Sequence, residues 1–275
     1  MYPALNAWTF TQQLSPAEQL AAAASAGFAG IELVLAADEG LGWDTPITTF
    51  EDIRTLAADI NIRITSLATA VFWDCNYASP DVVDRQQAVD ISRRMLERAA
   101  ACGAEAILVV PAVVGAVSEL QQRVTYADAW YRTLEALLIL RHDAEALGVT
   151  LAIENVHNRF LLSPLEMCDL IDQVNSPYVG VYLDVGNVLA YGYPRDWITT
   201  LSRRIARVHV KDYDLSQPGR GGGCALGTGS VDWTAVFTAL RAVRYQGPLT
   251  YEGPGEPAEV CQRLKELMDQ VPDGK

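Results

Sequence analysis

Short apolar or β-branched runs alternate along the chain with longer segments whose apolar residues recur at helical spacing. That alternation is the pattern of repeated βα units, whose strands pair in parallel. Eight strands are predicted, at Leu5–Phe10, Gly30–Leu35, Arg63–Ala68, Ala106–Val110, Thr150–Asn155, Gly180–Asp184, Ala206–Lys211 and Leu249–Glu252. Several are nearly unbroken apolar runs, as expected of strands covered on both faces. The helix signals between them are specific. Ser15-Pro16-Ala17-Glu18 combines a cap, a proline at the first helical position and a capping-box acid, and Ser163-Pro164-Leu165-Glu166 repeats the device. Gly103 and Gly148 stand where left-handed glycines close helices before the next strand.

Eight strands and eight helices in 275 residues predict an α/β fold, a single (β/α)8 TIM barrel over residues 1–275, an architecture that takes about 250 residues. The alternative is a doubly wound nucleotide-binding sheet. Its fingerprint fails: Gly219-Arg220-Gly221-Gly222-Gly223-Cys224 ends in cysteine where a glycine belongs and lies late in the chain. No Walker A sequence is present.

Composition narrows the function classes. Lys and Arg number 21 against 34 Asp and Glu, a net charge of −13, and no basic stripe appears. Nucleic acid and anionic membranes are therefore not expected partners. Net charge does not decide whether a small ligand is neutral or anionic, because one metal ion or one placed arginine can dominate a pocket's field. The five cysteines are scattered without a C-x-x-C, which reads as reduced thiols in a cytoplasmic protein. The start MYPALNAWTF has no basic segment followed by an apolar one, and the longest apolar stretch is interrupted by Pro111 and Gly115.

The chemistry is concentrated at strand ends, which in a barrel converge on one mouth. The last four strands bring Glu154, Asp184, His209 and Glu252 there, each at the end of an apolar run. A buried carboxylate in such a place needs a partner or a cation. Taken singly, each residue is well explained as a helix cap or an arginine partner. Four in successive strands point instead to a shared site for one divalent metal ion, Mn, Mg, Co or Zn.

These residues and their surroundings resemble the xylose-isomerase-like TIM-barrel superfamily of sugar (phosphate) isomerases and epimerases, over essentially the whole chain. The resemblance is most specific in Ile153-Glu154-Asn155, Tyr182-Leu183-Asp184-Val185-Gly186-Asn187, Val208-His209-Val210-Lys211-Asp212, Gly227-Thr228-Gly229-Ser230-Val231-Asp232-Trp233 and Tyr245–Glu252. It implies that Glu154, Asp184, His209 and Glu252 hold the metal and that Glu154 and Glu252 double as the acid/base pair. It further implies proton transfer on a small ketose or ketose phosphate through a metal-stabilised enediolate, with inversion if the glutamates flank the carbon from opposite faces. Asp184-Val185-Gly186-Asn187 departs from the D-x-x-H of free-sugar ketose 3-epimerases and looks more like the L-ribulose-5-phosphate 3-epimerase branch. Members are often dimers or tetramers, so a homo-oligomer is expected.

Further candidates for substrate contact are Asn187, Arg220, His157, Lys211 and Trp73. Arg220 sits in the glycine-rich loop and can offer a planar fork to a hydroxyl or phosphate. Lys211 follows His209 by two residues and is expected chiefly as an acid's ion-pair partner. His157 is weighed against a surface or helix-capping role. The segment Phe72-Trp73-Asp74-Cys75-Asn76-Tyr77 is too aromatic for an ordinary exposed loop and reads as substrate wall or lid. Trp8 and Phe10 are placed on the first strand, as wall or core. Glu32 in the second strand is expected to pair with an arginine, with a role behind the metal ligands as the alternative. Trp130, on the expected helix 126–147, is core or subunit contact.

Two other enzyme readings share the superfamily. A trinuclear-zinc nuclease needs more histidines than His142, His157 and His209. A dehydratase of a cyclic polyol ketone, of inosose or dehydroshikimate type, uses the same first proton abstraction and is the serious alternative. A barrel that only binds sugar is opposed by retention of both glutamates.

Overall fold

The computed structural model describes residues 1–36, 40–116, 120–217 and 223–271. Eight parallel strands close into a barrel: β1 (Tyr2–Asn6), β2 (Gly30–Val34), β3 (Arg63–Ala68), β4 (Ala106–Val109), β5 (Thr150–Glu154), β6 (Val179–Asp184), β7 (Ile205–Val210) and β8 (Pro248–Tyr251). Each strand pairs with its neighbour in sequence, and β1 pairs with β8 to complete the ring. Closure leaves the barrel itself without an edge strand.

The helices on the outside are α1 (Pro16–Ser25), α2 (Ile47–Asp59), α3 (Val82–Cys102), α4 (Tyr126–Leu147), α5 (Pro164–Val174), the single turn α6 (Val185–Val188), α7 (Pro194–Leu201), α8 (Trp233–Ala242) and α9 (Pro257–Asp269). Nine stand among the described residues where eight were expected, because β6 runs straight into the extra turn α6. Both capping boxes form, and Gly103 and Gly148 close α3 and α4 in the left-handed region at φ 77° and 67°. No described helix is long and apolar enough to cross a membrane. All five cysteines are free, and Trp130 packs against the core.

The first strand needs correction. It runs over Tyr2–Asn6, and Ala7–Thr9 form a 3-10 turn. The Asn6 carboxamide oxygen accepts from the Trp8 backbone N–H at 2.6 Å and ends the strand there. Trp8 and Phe10 therefore lie beyond the strand: Trp8 is exposed and Phe10 packs against the core.

Inside the barrel, Arg207 fills the N-terminal end, donating to the Thr65 carbonyl at 3.2 Å and to Glu105 at 2.7 Å. His209 follows two residues later on the same face. At the opposite mouth, Asp212–Tyr213 pair antiparallel with Gly223–Cys224. The buried Asp212 carboxylate accepts from the backbone N–H groups of Tyr213, Gly227, Gly229 and Val231 and from the Trp233 indole. It ties the segment after β7 to the start of α8, and gives the motif Gly227-Thr228-Gly229-Ser230-Val231-Asp232-Trp233 its physical reason. Asp212→Ala would leave these buried donors unsatisfied, so a loss of about 2–4 kcal/mol in unfolding free energy is expected by urea titration. An unchanged midpoint would contradict that role.

Candidate metal centre and active site

Four consecutive strands deliver one polar side chain each to a single point at the C-terminal mouth. Glu154 closes β5, Asp184 closes β6, His209 is the penultimate residue of β7, and Glu252 follows β8. One donor atom from each lies within 4.8 Å of all the others. Register explains the convergence: Asp184 sits opposite His209 across the β6–β7 ladder, and the Glu252 backbone N–H donates to the Val210 carbonyl at 3.2 Å.

The imidazole is fixed from both sides. Its Nδ1 faces the centre, 3.0 Å from Glu154 Oε1 and 3.3 Å from Glu252 Oε2, while Nε2 lies 2.7 Å from Glu32 Oε1. Glu32 is fully buried and also accepts from Asn6 and from the Ser66 hydroxyl. The Tyr182 ring packs on the imidazole with centroids 4.2 Å apart. A carboxylate on Nε2 keeps that nitrogen protonated and the ring oriented, so that Nδ1, aimed at the centre, is the nitrogen whose lone pair a bound cation would take in exchange for a proton.

Asp184 is equally constrained. Asn187 donates to it twice at 2.8 Å, from its backbone N–H to Oδ1 and from its side-chain amide to Oδ2. Asn155 clasps the Asp184 backbone, donating to its carbonyl and accepting from its N–H, each at 2.9 Å. Between them Gly186 is obligatory, since a Cβ there would stand 2.6 Å from the Lys211 carbonyl oxygen.

The electrostatics show what the cluster requires. Burial, reinforced by the neighbouring carboxylates, pushes Glu154 up to about 7 despite its bond with His209. Burial also lifts Asp184 to about 6, although Lys211 opposes it. Glu252 is held below the usual carboxylate range: burial works against ionisation, and Lys211 and His209 overcome it. The Lys211 ammonium lies 3.0 Å from Glu252 and 4.0 Å from Asp184. One lysine and one imidazole are too little positive charge for so many buried acids, and three carboxylates with one imidazole are a donor set for a hard or borderline divalent cation. The residues fit such an ion.

The donor set opens into a cavity of about 440 Å³. Glu154, Glu252, Asn187 and Lys211 form its polar side, and Trp8, Trp73, Leu108, Val110 and Val156 form an apolar wall. At their identities alone, these features leave the lineage open. Residues 20–271, nearly the whole chain, match the family described as Xylose isomerase-like TIM barrel. The chain belongs to that family.

The 2-epi-5-epi-valiolone 7-phosphate 2-epimerase of Actinoplanes sp. is 29% identical over 240 residues, covering 86% of this chain and 81% of its own. The 3-oxo-isoapionate decarboxylase of Pectobacterium atrosepticum is 26% identical over 189 residues, 62% of this chain and 68% of its own. Among solved structures, an L-ribulose 3-epimerase superposes with a TM-score of 0.80 at 18% identity, over 98% of this chain and 95% of its own. At that identity the likeness is one of fold.

In this family member most expected site residues meet at one mouth. Glu154, Asp184, His209 and Glu252 converge, Lys211 makes the expected ion pair, and Trp73 lines the cavity. Asn187 lines it too, but both of its donors bind Asp184, so it orients that carboxylate. His157 is neither a cap nor an exposed residue: it is half-buried, edge-on to Tyr191 and Tyr213, and lines the cavity. Among the described residues Glu32 has no arginine partner and bonds His209 instead, because the barrel interior at that level holds Asn6, Ser66 and the imidazole. Arg220 lies outside the described residues. Sequence reasoning missed Asn155, although its position directly after Glu154 on a strand end was the available signal.

Glu32→Gln is isosteric and can keep the same hydrogen-bonding neighbours while removing only the charge behind His209. Mn²⁺ affinity, read by titration calorimetry, is expected to fall about 10- to 100-fold, the usual effect of removing a carboxylate behind a ligating histidine. Unchanged affinity would show that Glu32 is structural only.

Proposed function

We propose that the protein is a divalent-metal-dependent isomerase or epimerase of a small ketose or ketose phosphate, shifting a proton at a carbon beside a ketone. The observation that carries this reading is the placement of Glu154 and Glu252 at the two ends of the four-strand arc, both lining the one cavity that the donor set opens into. Glu154, Asp184, His209 and Glu252 would hold the ion. When bound, a divalent cation supplies Lewis-acid polarisation of a carbonyl and charge stabilisation as the adjacent proton leaves.

The remaining work belongs to side chains of this chain. Two carboxylates on either side of the reacting carbon can take a proton from one face and return one to the other, which inverts the centre. Lys211 keeps Glu252 ionised, the state in which a base must start. Asn187 holds both oxygens of Asp184, and Glu32 holds the imidazole, so the donors need little reorganisation. The apolar wall of Trp8, Trp73 and Val156 restricts water on the other side of the substrate. The relatives named as epimerases support this reading.

Cation uptake is expected to be pH-dependent with a definite sign. Glu154, up to about 7, and Asp184, up to about 6, carry protons at the lower end of the neutral range. The cation must displace those protons. Mn²⁺ affinity should therefore decline as pH falls through 7 to 6, with proton release visible as buffer-dependent calorimetric enthalpy. Affinity flat across that range would contradict the stated environment of the two acids.

The reaction itself is tested by product analysis. Metal-loaded protein incubated with ketoses, ketose phosphates and cyclic polyol ketones should yield, by NMR, a diastereomeric ketose or the isomeric aldose. An unsaturated product formed by loss of water would replace this reading with the dehydratase.

A further inference from the structure

A second cavity of about 420 Å³ opens beside the first at the same end of the barrel. It is formed by the residues after β1 and after β2, and Trp8 lines both cavities. Trp8 is the one exposed tryptophan among the described residues, 41% accessible. Its position is nevertheless fixed relative to the donor set. Asn6 accepts from the Trp8 backbone N–H, donates to Glu32, and Glu32 holds His209.

The walls of this second cavity have a definite chemistry. Gln12, Gln13, Gln19 and Thr11 contribute neutral donors and acceptors, and no charged residue lines it among the described residues. Gln19 is tied at the rim by its amide, which donates to the Leu14 carbonyl at 3.2 Å. A phosphate calls for cationic donors, which no described lining residue supplies. A polyhydroxylated neutral group suits both the amides and the flat indole face. Size agrees, because the two chambers are nearly equal and each lies in the range that holds a small ligand.

We propose that this second cavity is a subsite for a second sugar ring, so that the substrate is a ketose carrying a glycosyl substituent, with its ketose in the first chamber and the glycosyl ring past Trp8. This rests on the reading of the first chamber as a ketose site. The experiment compares D-fructose with three glycosyl-fructoses of different linkage, lactulose, leucrose and isomaltulose, on Mn²⁺-loaded protein. Saturation-transfer NMR reads which ring is held, and deuterium exchange from D₂O reads turnover.

For at least one disaccharide, saturation of glycosyl protons comparable to that of ketose protons is expected, with kcat/KM at least about ten-fold above D-fructose. The variant carrying Gln12→Ala and Gln13→Ala, both exposed positions, should reduce that ratio to near one. Exchange on D-fructose with no saturation of any glycosyl ring would overturn the subsite while leaving the ketose site standing. Binding of neither fructose nor any disaccharide would overturn both.

Discussion

Glu252→Gln is expected to reduce solvent-proton exchange on substrate by at least about 10³-fold, within the span that a positioned acid or base contributes and enlarged if the same group also holds the cation. The substitution is isosteric, and its amide oxygen can still accept from Lys211, which now sits 3.0 Å from Glu252 Oε1. What disappears is the charge and the basicity. Glu154→Gln should be comparably severe, since Glu154 occupies the other end of the arc and faces the same cavity. The two losses should not multiply in the double variant, because both residues act in one proton-transfer sequence. A single variant that retains activity within about ten-fold would remove that glutamate from the acid/base pair.

Asp184→Asn should have the second-largest effect, on cation retention. A carboxylate whose two oxygens are both oriented by Asn187 is a pre-set donor, and its loss should weaken Mn²⁺ binding by at least about 10²-fold, more than removal of a group behind a ligand does. Stability without added cation should move the other way. Burial raises the Asp184 pKa to about 6, and a carboxylate raised in the folded state destabilises the fold above its unfolded pKa. Asparagine removes that burden at neutral pH. The melting temperature in chelator should hold or rise, whereas in Mn²⁺ the variant should lose the metal-dependent increase. A variant with unaltered metal content would place Asp184 outside the cation's donors.

Much of this was written plainly in the sequence. Unbroken apolar runs such as Ala106–Val109, set between helical segments, read as strands covered on both faces, and Gly103 and Gly148 mark helix ends because a left-handed residue is required there. Glu154, Asp184 and Glu252 were legible because each ends such a run, and His209 because it stands between two valines near the end of β7, where an isolated acid or imidazole has no reason to be. The start of the chain was harder. Leu5–Phe10 looks like one strand until Asn6 turns its side chain back onto Trp8, a local hydrogen bond that competes with the ladder.

Glu32 illustrates the other difficulty. Its partners Asn6, Ser66 and His209 are 26, 34 and 177 residues away, and only closure of the barrel brings them together. A buried carboxylate in a strand signals that some partner exists, while its identity depends on which side chains share its layer. Asn187 is similar: the motif places it by Asp184, but the two bonds that make it an orienting group depend on the turn α6.

The account turns on metal-dependent proton abstraction at this mouth, and one measurement addresses it directly. The protein is incubated in D₂O with the ketose panel, with Mn²⁺ or with chelator, and deuterium entering the carbon beside the carbonyl is followed by NMR, with Glu252→Gln alongside. Incorporation that requires the metal and is lost in Glu252→Gln is the predicted result. Incorporation that persists in chelator, or that survives in Glu252→Gln at the unaltered rate, would contradict it.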